Sequence, residues 1–385
     1  MLLLPYTYKT EKLYHAYHKI PRIGQIMGLK IINKINNFNI QRLTTPIILT
    51  FFVTNQCNAK CKHCFYWKHL SQNISEELNL KEIKKIVSSL KHPLSTLLLT
   101  GGEPFLREDL AQICKIFYDI NRTKKINIPT NGLMPKLIYK CARDIIENAG
   151  LFLSINVSLD GLEKKHDEIR GVQGTFQRAI ETIGYLKNLE KRRSNFMVGV
   201  QTVISNRNYS EIEKLMDFVK KNFAVPHGFQ FIRSTQSDVH SIDPLIVSDF
   251  TPPSGDFKLP SLEKLHRLNR TINNRKISEN ADLLLSKIDI INRQYLLEII
   301  EKRKKIVPCL AGRIDGVLYP SGEVALCEYT KPFGNLRDFS LNFEKLWNSD
   351  EANERRKQVS QCVCAHSCNL MNSMRYDLNT LIKLL

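Results

Sequence analysis

The run from Leu49 to Trp67, LTFFVTNQCNAKCKHCFYW, constrains this chain more than any other. Its first half is apolar, β-branched and aromatic, the composition of a strand buried on both faces. Its second half places Cys57, Cys61 and Cys64 within eight residues. Thiolates are soft ligands that hold iron–sulfur clusters, zinc or copper(I). A [4Fe–4S] cube takes four cysteines, so three from one loop leave one iron open to a substrate or cofactor. Two other uses of the same residues stand beside this one. Three Cys plus His63 suit a structural zinc, and free thiols also pack as small inert hydrophobes.

A second run, STLLLTGGEP from Ser95 to Pro104, reads as another buried strand that ends in Thr100, Gly101, Gly102, Glu103 and Pro104. Paired glycines at a strand end let the backbone come close to a ligand, and Glu103 adds a carboxylate suited to an ammonium group. In order and at consecutive strand ends, the two motifs resemble the radical S-adenosylmethionine (SAM) superfamily, with CxxxCxxC after the first barrel strand and GGEP after the second. The resemblance implies catalytic and metal-binding roles for Cys57, Cys61 and Cys64 on a [4Fe–4S] cluster. It also implies SAM on the fourth iron, with Gly101, Gly102 and Glu103 around its amino group.

From Pro46 onward, strand-like runs at 47–53, 96–100, 126–129, 152–159, 196–204 and 228–232 alternate with helix-like segments at 80–90, 108–120, 136–148, 176–190 and 209–222. Thr175 and Ser210 read as helix caps. Such alternation with short loops implies right-handed crossovers and a parallel sheet. Six strands fall short of an eight-fold barrel. The resemblance implies an α/β fold: a partial (β/α)6 TIM-like barrel over residues 46–233 with a small cysteine-rich C-terminal extension. Parallel barrels do their chemistry at the C-terminal strand ends, where both motifs lie. The third strand ends in Asn131-Gly132 and the fourth in Ser158-Leu159-Asp160-Gly161, with His166, Asp167 and Arg170 following; Asn-Gly and Asp-Gly are also plain turn dipeptides. By resemblance, Ser158 and Arg170 match groups that hold the SAM carboxylate, and Tyr66 matches a position near the adenine. Asn131 joins them as a cofactor-binding expectation.

Residues 234–308 carry no motif. The segment 243–260 reads as an irregular loop, and 262–305 as two polar helices, serving as a linker insertion or as a lid over the barrel mouth. Then Cys309 and Cys327 bracket a hairpin around the Pro-Ser-Gly turn at 320–322, and Cys362, Cys364 and Cys368 follow. This region, 309–385, resembles the twitch or SPASM extension of radical SAM enzymes. Five thiols are too few for two clusters, so one auxiliary [4Fe–4S] cluster is expected, with one of Cys362, Cys364 and Cys368 spare. A zinc ribbon on the same residues is the alternative. Cys114 and Cys141 fall within helical patterns and read as core.

At 385 residues, 43% hydrophobic and 24% charged, the chain reads as a soluble globular protein of two or three units. No apolar run approaches the ~20 residues of a membrane span, and MLLLPYTYK lacks a basic stretch ahead of its apolar run, so it is a poor signal peptide. Ten Cys are therefore read as reduced, in a cytoplasmic protein. The net charge of +18 has two readings: an acidic partner, or lysine-rich composition. Basic residues spread along the chain with no nucleic-acid motif favour composition, and no specific nucleic acid is expected. Residues 1–45 read as a basic helical lead-in, with Lys9, Lys12, His15, Lys19 and Arg22 on one face, packed on the first domain rather than lying on a membrane. The resemblance implies reductive SAM cleavage, hydrogen abstraction and an electron donor such as flavodoxin or ferredoxin. A peptide or protein substrate is preferred to a small molecule handled by a dehydrogenase or epimerase. A metal-stabilised binding protein without turnover is the reading of another class.

Overall fold

Six parallel strands run as expected. They are β1 (Ile48–Thr54), β2 (Thr96–Gly101), β3 (Lys125–Thr130), β4 (Phe152–Ser158), β5 (Phe196–Ile204) and β6 (His227–Phe231), each hydrogen-bonded to the next. The computed structural model describes residues 22–234, 239–278 and 283–384. β1 is buried on both faces: Leu49, Phe51 and Val53 pack into the main core, while Phe52 turns to a cluster with Tyr66, Val317 and Tyr319. Burying such a side chain contributes about 1.5–3 kcal/mol, so a strand with apolar residues on both faces is held at the centre of the sheet.

Helices cover the outside: α1 (Arg22–Gln41) ahead of the sheet, then α2 (Leu80–Ser88), α3 (Leu110–Asn121), α4 (Pro135–Asn148), α5 (Glu163–Arg170), α6 (Thr175–Glu190) and α7 (Ile212–Asn222). Each of α2 to α4, α6 and α7 buries an apolar stripe, such as Ile83, Ile86 and Val87 of α2. Asn79 opens α2 with a reciprocal cap: its side chain accepts from the Glu82 N–H, and the Glu82 carboxylate accepts from the Asn79 N–H. Thr175 does not act as the cap expected of it. Gly174 occupies that position, and Asp167 accepts from the Gly174 N–H, the Thr175 hydroxyl and the Phe176 N–H. Ser210 lies inside a 3-10 turn, Tyr209–Glu211, that precedes α7.

The C-terminal hairpin joins the barrel sheet, which local pattern did not foresee. β7 (Val239–His240) is a short separate strand, but β8 (Asp315–Leu318) lies parallel to β1, with Ile48 opposite Thr96 on one side and Asp315 on the other. Antiparallel β9 (Glu323–Ala325) and β10 (Gly334–Asn335) complete the order β10-β9-β8-β1-β2-β3-β4-β5-β6. An open barrel leaves one edge of β1 without partners, and a fully buried β8 satisfies it. β11 (Val363–Cys364) pairs with β7.

The region 234–308 is built into the body of the protein. α8 (Leu262–Ser278) and α9 (Leu283–Lys302) pack Leu265, Leu268, Ile272 and Leu297 against Ile204, Ile212, Met216 and Phe229 of the last barrel units. The buried Arg293 on α9 reaches Asn269, Asn273 and Asp289. Four helices close the chain: α10 (Phe343–Trp347), α11 (Asp350–Ser360), α12 (Ser367–Met374) and α13 (Leu378–Lys383). Lys9, Lys12, His15 and Lys19 of the expected lead-in lie outside the described residues. No helix of the described residues is long and apolar enough to cross a membrane.

Candidate active site

The cysteine loop starts where β1 stops. The Glu77 carboxylate accepts from the Thr54 hydroxyl at 2.9 Å and from the Asn55 N–H at 2.7 Å, and the Tyr66 hydroxyl donates to Asn55 Oδ1 at 2.7 Å. Across the barrel mouth, the Lys60 and Lys62 N–H groups donate to the Arg170 and Ile169 carbonyls at the end of α5. These bonds tie down an irregular loop whose own residues offer no ladder. Cys57, Cys61 and Cys64 converge inside it, half-buried and close enough to feel one another's charge. Burial pushes the Cys57 thiol up to about 11 and Cys64 to about 12, and raises Cys61 as well. Left alone they stay protonated. Bound metal supplies the positive charge that makes them thiolates, and binding releases protons. His63 is not gathered with them: its Nε2 lies 3.6 Å from Asp160 Oδ2, and burial holds its pKa near 4.

The two glycines let β2 lie flush on this loop. Gly101 has φ +139°, and a Cβ there would stand 2.4 Å from the Thr54 carbonyl oxygen. A Cβ on Gly102 would stand 2.0 Å from the Gln56 oxygen and 3.1 Å from Cys57 Cβ. The close approach that the glycine pair allows is thus first to the cysteine loop itself, secured by the Gly102 and Glu103 N–H groups donating to Thr54 and Gln56 carbonyls. Glu103 is 1% exposed. Its carboxylate accepts from the Thr130 hydroxyl at 2.8 Å and the Asn131 N–H at 2.8 Å, which joins the ends of β2 and β3. Burial pushes this carboxyl up to about 7 despite those bonds. A buried carboxyl so placed is stabilised by any cation that arrives beside it. Asn131 donates from Nδ2 to Asn58 Oδ1 at 2.7 Å and so reaches the cysteine loop.

Arg170 stands on the far side. It pairs with Asp160 at 2.7 Å and donates from Nη1 to Cys61 Sγ at 3.6 Å. Burial opposes its charge, but Asp160 and Cys61 more than restore it. Its Nε–H is buried with no hydrogen-bond partner, so one donor of the guanidinium remains for a ligand. Ser158 sits half-buried at the end of β4. Tyr66 is buried, stacked against His69 and packed on Phe52, with its hydroxyl already given to Asn55. Asp160, which the sequence offers only as half of an Asp-Gly turn, is the buried anion that orients Arg170.

The later thiols form a second centre. Cys309, Cys327, Cys362 and Cys364 influence one another's charge, and Cys309, Cys362 and Cys364 line one small cavity with Val307 and Leu370. Burial raises Cys309 to about 12 and raises Cys327 as well, while the Cys364 thiol hydrogen-bonded to it raises Cys362. Cys368 stands apart, within 4.0 Å of Arg233 Nη2 and in one group with Glu328 and His366. That trio brings its ligand atoms within 4.8 Å of one another, and among the described residues no other set does. Its carboxylate is already paired, because Arg233 lies 3.1 Å from one Glu328 oxygen and His366 Nε2 lies 2.9 Å from the other, while His366 Nδ1 is buried without a hydrogen-bond partner. A tetrahedral zinc would hold its sulfurs roughly 3.8 Å apart, given Zn–S near 2.3 Å. Cys362 and Cys364 are hydrogen-bonded to each other, but among the described residues no three thiols bring their sulfurs within 4.8 Å of one another; thiolate donors of this number suit an iron–sulfur cluster. Arg233 also lies 4.3 Å over the Phe65 ring, beside Cys64, and so links the two centres. Sequence reading missed Arg233, Glu328 and His366. Glu328 next to Cys327 and His366 two past Cys364 were the available signals.

The chain is similar to known proteins. The family model of the radical SAM superfamily matches residues 51–219, and that of the SPASM iron–sulfur cluster-binding domain matches 309–369. The AdoMet-dependent heme synthase of Methanosarcina barkeri is 30% identical over 321 residues, 80% of this chain and 83% of that protein. The antilisterial bacteriocin subtilosin biosynthesis protein AlbA of Bacillus subtilis is 26% identical over 311 residues, 79% of this chain and 60% of AlbA. Among solved structures, Streptococcus suis SuiB bound to precursor peptide SuiA superposes with a TM-score of 0.57 at 17% identity, over 89% of this chain and 73% of SuiB.

Proposed function

Because this chain belongs to the radical SAM superfamily and carries a SPASM iron–sulfur region, we propose that it is a SAM-cleaving enzyme that modifies a peptide or protein. Its cofactors are a [4Fe–4S] cluster and SAM, with auxiliary iron–sulfur in the C-terminal region. When bound, the cluster and SAM supply one-electron cleavage of the sulfonium, yielding a 5′-deoxyadenosyl radical that takes hydrogen from the substrate.

The rest is what this chain's own residues do. Cys57, Cys61 and Cys64 hold three irons and leave the fourth for SAM. Glu103 receives the amino group beside the Gly101 and Gly102 backbone. Ser158 and the unpaired Arg170 Nε–H receive the carboxylate, while Asn131 and Tyr66 frame the remaining side. Cys309, Cys327, Cys362 and Cys364 hold one auxiliary [4Fe–4S] cluster and leave Cys368 spare. Residues 46–233 are the catalytic barrel, 309–385 the auxiliary region, 1–45 a lead-in and 234–308 a helical insertion beside the mouth. A reducing cytoplasm suits these thiols, and a flavodoxin or ferredoxin suits as electron donor.

The observation that carries this reading is the convergence of three thiols, a glycine pair and a buried carboxyl at neighbouring strand ends. Similarity to AlbA and SuiB supports a peptide. The longer similarity to a heme synthase favours a second reading, a small-molecule dehydrogenase or epimerase. Anaerobic reconstitution with iron and sulfide, then SAM and dithionite, should release 5′-deoxyadenosine, measured by mass spectrometry. Full iron loading without that product would leave a metal-stabilised binding protein. Stimulation of product release by candidate peptides, and not by porphyrins or sugars, separates the two enzyme readings.

A further inference from the structure

The outward face of α1 departs from the rest of the surface. Leu29, Asn33, Asn36 and Ile40 turn inward, where Asn33 donates to the Tyr376 carbonyl and Ile40 packs on Ile314 and Tyr376. On the opposite side Ile31, Ile35 and Phe38 are 60%, 54% and 53% exposed. Their spacing of four and three residues sets them in one stripe along the helix. The other large exposed hydrophobics of the described residues, Trp67, Ile74, Leu137, Leu245 and Leu262, sit on separate elements. Isolated apolar residues on a surface need no partner, but a contiguous stripe does.

Charge says what partner fits. The twenty residues of α1 contain no Asp or Glu. Lys30 and Lys34 flank the stripe, exposed and paired with no carboxylate among the described residues, and Arg42 lies 4.1 Å over the Phe38 ring just beyond the helix. By sequence, residues 1–45 hold seven Lys or Arg against one Glu, so the lead-in is more basic than the chain as a whole.

We propose that α1 docks this protein on an anionic phospholipid surface, with Ile31, Ile35 and Phe38 entering the boundary between headgroups and acyl chains and Lys30, Lys34 and Arg42 meeting lipid phosphates. The stripe is convex and one side chain wide, with cations on long flexible stems beside it. That shape suits a fluid sheet, where lysine stems snorkel toward the headgroups. Among the described residues, Ile31, Ile35 and Phe38 offer a folded acidic protein no concave feature to fill. Neither hydrophobic nor electrostatic attraction suffices alone for such a short stripe, so binding needs both.

The test uses the full-length, iron-reconstituted protein and sedimentation with vesicles. Vesicles containing phosphatidylglycerol should carry the protein down, and pure phosphatidylcholine should bind it about tenfold less. Binding should weaken at about 0.5 M salt, where charges are screened within a few ångströms. Ile31→Gln with Ile35→Gln and Phe38→Gln, and separately Lys30→Glu with Lys34→Glu, should each reduce vesicle binding about tenfold, with iron content and 5′-deoxyadenosine formation unchanged. The proposal is overturned if the wild-type protein ignores phosphatidylglycerol vesicles, or if either variant still binds them as the wild type does. Binding to poly-glutamate but not to vesicles, lost in the Ile31 triple variant, would overturn it in favour of an acidic protein partner. Conversion of a dimer to a monomer by that variant, with vesicle binding unchanged, would overturn it in favour of a second copy of this chain.

Discussion

The two thiol centres are assembled in opposite ways. The first takes three sulfurs from one loop and keeps unmet hydrogen-bonding capacity nearby, in the Arg170 Nε–H, with a buried carboxyl whose pKa lies near 7. The second draws four sulfurs from before β8, after β9 and the β11 strand, and its charged neighbours are paired with one another, Arg233 with Glu328 and Glu328 with His366. Unsatisfied buried polar groups cost stability and persist where a ligand completes them. Such atoms lie beside both centres, the Arg170 Nε–H at the first and Arg233 Nη1, His366 Nδ1 and Asp315 Oδ2 at the second, so the contrast lies in how the sulfurs are gathered: from one loop in the first, from distant segments in the second.

The widest separation between them should come from deleting ligands. Replacing Cys57, Cys61 and Cys64 by Ala should lower SAM cleavage by more than about 10³-fold, as expected when an entire catalytic unit is lost, while part of the iron stays. Replacing Cys309, Cys327 and Cys364 should remove that remaining part instead. Iron analysis and product assay report both, and a variant that sheds all its iron would show that the centres are not independent.

Next in size is a pH effect to which Glu103 contributes at the first centre. Burial holds the Glu103 pKa at about 7 in the folded protein, against about 4.5 for a solvated glutamate. The folded state thus binds the proton more tightly. Cofactor-free stability is full below about pH 4.5 and falls as pH rises through 7, by up to about 3 kcal/mol at 1.36 kcal/mol per unit. Denaturant unfolding at pH 5 and pH 8 measures the fall, and Glu103→Gln should reduce it, leaving the part that Asp315, raised to about 8 by burial, contributes beside the second centre. Gly102→Ala should follow, since its new Cβ meets the Gln56 carbonyl. We expect a loss of about 2 kcal/mol, seen as a lower Tm, with early iron lost and late iron kept. Smallest of all, Cys368→Ala should leave the iron of both centres unchanged, because that thiol belongs to the Arg233 and Glu328 group.

What was readable in the sequence follows the same division. The six barrel strands lie within about one or two residues of their expected bounds, because their apolar patterning is local, near-continuous in β1 and alternating in strands such as β3 and β4. Cys57, Cys61 and Cys64 were legible for the same reason: their proximity is local. The pairing of Ile48 with Asp315 was not, since parallel strands so far apart in the chain leave no mark in either segment. Which of Cys362, Cys364 and Cys368 is the spare thiol was not readable, because it depends on where Arg233 comes to lie, a tertiary fact. Thr175 is not the cap because the helix begins one residue earlier, with its cap at Gly174, where Asp167 of the preceding helix takes the Gly174 and Phe176 N–H groups.

The place of β8 against β1 has a consequence in time. A ribosome delivers β1 early and must add roughly 260 more residues before β8 emerges, tens of seconds at ordinary speeds of synthesis. Throughout that wait the inner strand of the barrel presents a bare flank, the kind of surface on which nascent chains cling to one another. A protein built this way depends on its final quarter to finish what its first quarter began.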